Sequence, residues 1–123
     1  MAEGLVNHDF GKQVDAFSAG TAPKGLDPRA VAVMAELGID IGQQRSEHVS
    51  RYADQPFDAV ITLCGDANDA CPLPFGSARR VHLGFPDPAR VSGSEQEVLA
   101  AFRRVRDAIR QEVDALLRRE FAI

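Results

Sequence analysis

Apolar and polar residues follow two different periods along this chain, which predicts a mixture of helices and strands. The longest pattern is helical and runs from residue 94 to about residue 119. Ser94 and Glu97 form a capping box, which predicts that this helix begins at the serine. Residues 1–9 also have a helical pattern. The apolar side of the long helix comprises Val98, Leu99, Phe102, Val105, Ile109, Val113 and Leu116.

A shorter helix is predicted to begin at residue 27. Asp27 has a side chain that caps helix N-termini, and Pro28 suits the first helical position. Gly38 is expected to end this helix. A further short helix is predicted at residues 45–53.

Three segments have the pattern of strands. Residues 13–18 alternate apolar and polar side chains, residues 57–63 form an apolar, β-branched run, and residues 79–83 give a weaker signal before a proline-rich loop. The second segment is expected to be a buried strand of a parallel sheet. Strands alternating with helices predict an α/β fold, in which sites lie at the carboxyl ends of the strands.

Cys64 and Cys71 are the only two cysteines, and Cys64 directly follows the apolar run. If the residues between them are helical, their Cα atoms lie roughly 10.5 Å apart, whereas a disulfide needs about 7 Å or less. Gly65, Asn68 and Pro72 make such a helix weak. The pattern therefore indicates a redox switch. Two buried, inert thiols are the alternative, and the six-residue spacing disfavours a zinc site.

Asp87 is the second candidate because it lies between Pro86 and Pro88 in a stiff loop. A fixed carboxyl suits a proton donor. An ordinary turn aspartate is the alternative, and the motif alone favours it.

The remaining polar motifs indicate structural roles. The histidines, His8, His48 and His82, are scattered and have no partner that the sequence identifies. The arginine run at residues 103–106 is typical of a solvated helix face.

The composition predicts one globular domain without a nucleic-acid or membrane partner. The chain has 123 residues, is 45% hydrophobic and carries a net charge of −4. No apolar run approaches the roughly 20 residues that span a membrane. Two thiols without an export signal predict a cytoplasmic protein.

The motifs together resemble the thioredoxin-coupled arsenate reductases, which share the low-molecular-weight protein tyrosine phosphatase fold. Phosphatases of this fold differ in lacking the cysteine pair and in carrying tyrosines after their Asp-Pro, where this chain has Ala89 and Arg90. The resemblance rests on residues 1–4, 17–20, 38–41, 60–72, 84–90 and 102–107.

This resemblance implies a three-layer α/β fold, with a parallel sheet between helices, as a single domain over residues 1–123. It implies reduction of arsenate to arsenite in arsenic detoxification, with arsenate or another oxyanion as the substrate. In the family's three-thiol relay, Cys64 matches the second thiol and Cys71 the third, while Asp87 matches the general acid. No bound cofactor is implied, and thioredoxin is the external reductant.

The resemblance also implies a cation site that would include Glu3 and Ser18. Arg45 stands where some members have a threonine, and its fixed positive charge argues against a bound potassium ion. No metal site is therefore expected.

One part of the family pattern has no match in this sequence. The first strand, the anion-binding loop, its nucleophilic cysteine and its arginine precede the motif that residues 1–4 match. The chain is therefore expected to be an N-terminally truncated domain that does not reduce arsenate as written. There are two alternatives. A partner supplies the missing first strand, as in a strand-swapped dimer, or the fold is rearranged around the remaining strands.

Two other functions remain as alternatives. One is a low-molecular-weight protein tyrosine phosphatase. The other is a non-catalytic pseudoenzyme that uses its two thiols as a binding switch.

The expected upstream start can be tested by mass. We expect the native protein to be about 2 kDa heavier than the 13.3 kDa of this sequence. Intact-mass spectrometry of the protein isolated from its host measures this directly. A native mass of 13.3 kDa would contradict the expectation.

Overall fold

The computed structural model of the chain describes residues 1–19, 26–44, 47–52, 55–64 and 79–122. Within these residues the chain forms helices and a parallel pair of strands. In chain order they are α1 (Ala2–Asp9), α2 (Pro28–Ala35), a 3₁₀ helix (Val49–Tyr52), β1 (Ala59–Cys64), β2 (Arg79–Phe85), a 3₁₀ helix (Pro88–Arg90) and α3 (Glu95–Phe121).

Helix α3 confirms the long helical pattern. The Ser94 hydroxyl accepts a hydrogen bond from the Glu97 N–H at 3.2 Å, as the capping box predicts. The helix continues two residues beyond the predicted end and closes at Ala122, which has a left-handed backbone (φ 54°). Its buried residues are Val98, Ala101, Phe102, Val105, Arg106, Ile109, Val113, Leu116 and Leu117.

Helix α2 begins and ends where its sequence signals predict. The Asp27 carboxylate accepts a hydrogen bond from the Arg29 N–H at 2.9 Å, with Pro28 at the first helical position. After the last helical residue the chain turns through Gly38, whose φ of 75° favours glycine. The Ile39 N–H then bonds to the Met34 carbonyl. The turn thus leads back to the apolar face of the helix.

Strands β1 and β2 pair in parallel, which confirms the α/β class with a parallel sheet. The prediction that the first of them is buried is wrong, because it is only half-buried. Ile61 and Leu63 pack against the hydrophobic core. Thr62, on the other face, instead meets the exposed His82 of β2. One face of the described strand pair therefore packs against the hydrophobic core.

Residues 13–18 do not form the predicted strand. The alternation of apolar side chains towards the core is nevertheless present in part of this segment. Val14 and Ala16 are half-buried against the core, while Phe17 is exposed. The Ala16 N–H donates to the Asn7 side chain at 3.0 Å, and the Asn7 amide donates to the Ala16 carbonyl at 3.2 Å. The Asn7 side chain of α1 thus forms the two backbone hydrogen bonds of Ala16 that a neighbouring strand would otherwise form.

The short helix predicted at residues 45–53 is represented, in its described part, by the 3₁₀ helix Val49–Tyr52. Within the part of the chain that the structure describes, no helix is both long enough and apolar enough to cross a membrane.

Helices α1 and α2 both pack against α3, and part of the arginine run lies in this interface. The prediction that the arginine run at residues 103–106 lies on a solvated helix face is wrong for Arg106, which is only 7% exposed. Its guanidinium donates to the Val33 carbonyl at 2.8 Å and to the Glu36 carboxylate at 2.9 Å. Arg103 also binds that carboxylate with two nitrogens, and these bonds lower the pKa of Glu36.

We expect Arg106→Ala to lower the free energy of unfolding by about 2–3 kcal/mol, because it leaves a buried carbonyl without its donor. Arg104→Ala is the matched control, since Arg104 lies on the exposed side of the same helix. Urea unfolding measures both variants. Equal stability of the two variants would contradict the role of the buried guanidinium.

Candidate functional site

The carboxyl ends of β1 and β2 bring two predicted site residues to one edge of the sheet. Cys64 is the last residue of β1 and pairs with Phe85, the last residue of β2. Asp87 follows two residues later. Because the strands are parallel, their carboxyl ends meet at the same edge, which is where sites form in this class.

The pairing of the strands becomes irregular just before this edge. Thr62 pairs with His82, but Cys64 pairs with Phe85, so β2 uses one more residue than β1 over this interval. Regular pairing therefore ends immediately before the cysteine. Cys71 and the weak helix predicted between the two cysteines lie outside the described residues, so their arrangement remains a prediction.

Asp87 caps the 3₁₀ helix Pro88–Arg90. Its Oδ1 accepts a hydrogen bond from the Ala89 N–H at 2.9 Å, while Oδ2 lies 3.7 Å from Arg90 Nε. The side chain is 54% exposed. One carboxyl oxygen is thus fixed by the backbone, and the other accepts no hydrogen bond within the described residues.

Arg29 is a neighbour of Asp87 that sequence reasoning missed. Its guanidinium is held by Asp27 through Nε (3.1 Å) and Nη2 (2.9 Å), and lies 4.9 Å from the centre of the Phe102 ring. The hydrogen bond from Arg29 lowers the pKa of Asp27. The same bond raises the pKa of Arg29, with a smaller contribution from Asp87. Asp87 therefore lies in the field of a positioned cation, and only the packing of the two segments brings the two residues together.

Two residues of the cation site implied by the resemblance are in contact. The Ser18 hydroxyl donates to Glu3 Oε1 at 3.1 Å. Arg45 lies outside the described residues. Among residues that the structure does describe, no group of three or more histidine, cysteine or acidic side chains could hold a metal ion.

Two histidines have partners that the sequence did not identify. His82 Nδ1 and Thr62 Oγ1 are 2.6 Å apart across the strand pair, and His8 Nδ1 is 3.0 Å from Asp9 Oδ1. The cross-strand pair joins residues twenty positions apart, and only the strand register brings them together.

The fold and this edge define a parallel α/β protein with a cysteine and an aspartate at the carboxyl ends of neighbouring strands. Residues 1–121 match the family described as low molecular weight phosphotyrosine protein phosphatase. The chain belongs to this family.

Curated relatives identify the branch of the family that the chain is similar to. It is 44% identical over 113 residues to an arsenate reductase of Halalkalibacterium halodurans, covering 92% of this chain and 81% of the relative. It is 46% identical over 109 residues to an arsenate reductase of Bacillus subtilis, covering 89% and 78%. The resemblance to arsenate reductases is thereby confirmed.

Solved structures agree with the fold. An arsenate reductase in its oxidized state superposes with a TM-score of 0.79 at 28% identity, covering 96% of this chain and 86% of the other. An arsenate reductase in its reduced state gives a TM-score of 0.75 at 30% identity, with the same coverage. The phosphatase-like fold expected from the sequence is thereby confirmed.

The ion pair beside Asp87 generates a prediction about pH. Because the folded-state pKa of Asp27 is lowered, its stabilising effect is present above its ordinary value of 3.8 and is lost as the pH falls below it. Asp27→Asn keeps a capping side chain but removes the charge. We expect wild type to be more stable than this variant at pH 6, with the difference shrinking below about pH 4.

Urea unfolding at several pH values checks this expectation. Asp15→Asn is the control, because Asp15 is an exposed carboxylate remote from helix α2 in sequence. A difference between wild type and Asp27→Asn that stays constant with pH would show that the ion pair contributes nothing.

Proposed function

We propose that this chain carries the redox-active part of an arsenate reductase, which reduces arsenate to arsenite while Cys64 and Cys71 become a disulfide. The observation that carries the proposal is the position of Cys64 at the same sheet edge as the loop of Asp87, in a chain 44–46% identical to arsenate reductases. Related structures in reduced, oxidized and phosphate-binding states support a thiol reaction on a tetrahedral oxyanion.

The two thiols are sufficient for the electron balance. Arsenic gains two electrons on going from arsenate to arsenite, and two thiols release two electrons when one S–S bond forms. Arsenate (H₃AsO₄) and two thiols give arsenite (H₃AsO₃), one disulfide and one water, into which the departing oxygen and two protons go. The first thiol of the relay implied by the resemblance carries arsenic transiently and is regenerated, so it does not enter this balance.

That first thiol is a separate requirement from the redox pair. Residues 1–123 contain only Cys64 and Cys71, which the resemblance matches to the second and third thiols. We propose residues 1–123 as a single domain that contributes the second and third steps of the relay. A strand-swapped dimer is one arrangement in which two copies of the chain would exchange strands.

Asp87 is proposed as the general acid that protonates the oxygen leaving arsenic. Three features support this role: the loop is stiffened by prolines on both sides, Oδ1 is fixed to the backbone, and Oδ2 accepts no hydrogen bond within the described residues. Arg29 and Arg90 place positive charge nearby, which favours the approach of an oxyanion.

Thioredoxin is proposed as the reductant that restores the two thiols. Thiol–disulfide exchange requires an attacking thiolate to reach one sulfur of the disulfide. We propose the cytoplasm as the compartment, because its reductants return the pair to the dithiol state after each turnover.

The experiment uses the native protein isolated from its host, with thioredoxin and its reductase as the electron source. We expect Cys64→Ser and Cys71→Ser each to abolish arsenate-dependent turnover, because neither variant can form the disulfide. Asp87→Asn is expected to lower kcat about 10²-fold, the usual contribution of a general acid. Asp15→Asn, an exposed carboxylate outside the site, is expected to leave turnover unchanged.

Hydrolysis of an aryl phosphate by the same variants separates the alternatives. The phosphatase alternative predicts hydrolysis without any effect of Cys64→Ser. The pseudoenzyme alternative predicts no arsenate turnover and a partner that binds the dithiol and disulfide forms differently. Undiminished arsenate turnover in Cys64→Ser would overturn the proposed relay.

A further inference from the structure

Two carboxyl groups meet at the interface between helices α1 and α3. Neither helix belongs to the sheet edge that carries Cys64 and Asp87. Asp9 is the last residue of α1, and Asp114 lies on the facing side of α3. Arg110 binds both oxygens of Asp9, with Nη2 at 2.8 Å and Nε at 3.0 Å. The Asp9 side chain is only 12% exposed.

Asp114 lacks a donor when it is ionised. Its Oδ1 is buried and has no hydrogen-bond partner among the described residues. When protonated, however, Asp114 can donate to Asp9. Two carboxylates at such close range cannot both be charged without a large penalty. The geometry therefore favours one proton held between the two groups.

The surrounding charges set which carboxyl holds the proton. Burial raises the pKa of Asp114 to about 6, with further contributions from its hydrogen bond and repulsion with Asp9, against the attraction of Arg110 and Arg118. Burial also acts to raise the pKa of Asp9, but hydrogen bonds from Arg110, His8 and Asp114 outweigh it and bring that pKa to about 2.

A groove on α3 adjoins the pair, and Asp114 is one of its lining residues. The groove has a volume of about 420 Å³. Arg118, which is one of its lining residues, also lies 5.7 Å from the centre of the ring of Phe10, the residue directly after α1. The lining residues are Asp107, Arg110, Gln111, Asp114, Ala115 and Arg118.

We propose that Asp9 and Asp114 share one proton and act as a pH-sensitive clamp that holds the end of α1 against α3. The clamp is closed while Asp114 is protonated. Loss of the proton leaves two carboxylates facing each other, with Arg110 already committed to Asp9. The contact then weakens.

The direction of the pH effect follows from the raised pKa of Asp114. Its stabilising effect is fully present below the ordinary value of 3.8 and is lost as the pH rises through about 6. The lowered pKa of Asp9 acts in the opposite sense, but only as the pH falls from 3.8 towards about 2. Between pH 5 and 7.5, Asp114 is therefore the member of the pair that titrates.

The effect extends beyond the end of α1. Asn7, two residues before Asp9, holds both backbone groups of Ala16 through its side chain. A loosened α1 would thus also release residues 14–19. Hydrogen exchange should report this as faster exchange in residues 1–19 at pH 7.5 than at pH 5.0, after correction for intrinsic rates.

The test compares urea unfolding of the full chain at pH 5.0 and 7.5. We expect the unfolding equilibrium constant of wild type to be about tenfold larger at pH 7.5, the change that a pKa raised from 3.8 to about 6 implies between these two pH values. Asp114→Asn can donate to Asp9 at both pH values, so this variant should lose most of that tenfold change. Glu112→Gln, an exposed carboxylate on the same helix, should retain it.

A direct titration of the wild type keeps the proposal testable if a variant fails to fold. Carboxyl carbon NMR should show Asp114 titrating near pH 6, with a smaller coincident change at Asp9. Titration of both groups near their ordinary value of 3.8 would overturn the clamp. So would an unchanged pH dependence of unfolding in Asp114→Asn.

Discussion

The described fold depends on covering the apolar side of one helix. Helix α3 runs for 27 residues and contacts α1, α2, β2 and the 3₁₀ helix that follows Asp87. Burying a large apolar side chain such as Ile109 or Leu117 stabilises the fold by about 1.5–3 kcal/mol. Strand β2 and the loop of Asp87 are therefore positioned by their packing on a helix that itself contributes no proposed catalytic residue.

Arginines at the border of this apolar interface fix how the helices align. Arg106 is buried and binds a backbone carbonyl of α2, whereas Arg103 is 42% exposed and binds the same Glu36 from outside. The exposed bond contributes little to stability because water competes for it. The buried one matters more, since its loss leaves unpaired polar groups in the interior. Arg110 has the corresponding position between α3 and α1.

Features set by neighbouring residues could be predicted from the sequence, and features set by distant partners could not. The caps at Asp27 and Ser94 are local, and both are present. A strand is stable only with a partner, so the alternation at residues 13–18 could not reveal that Asn7 would take the partner's place. The Arg29–Asp87 and Thr62–His82 neighbours likewise depend on packing and register. Cys64 was predictable as a candidate because it directly follows an apolar run, and Asp87 because two prolines flank it.

The acid and the thiol of the proposed site are supported by different elements. The loop of Asp87 packs on α3, and its cationic neighbour Arg29 is fixed by Asp27 and by the Phe102 ring. Cys64 instead ends β1, beyond the last regular strand pair at Thr62 and His82. A conformational change that begins after Cys64 would therefore leave the packing under Asp87 intact. The proposed thiol relay would use this separation, because its disulfide would have to reach the reductant while the acid keeps its place for the next oxyanion.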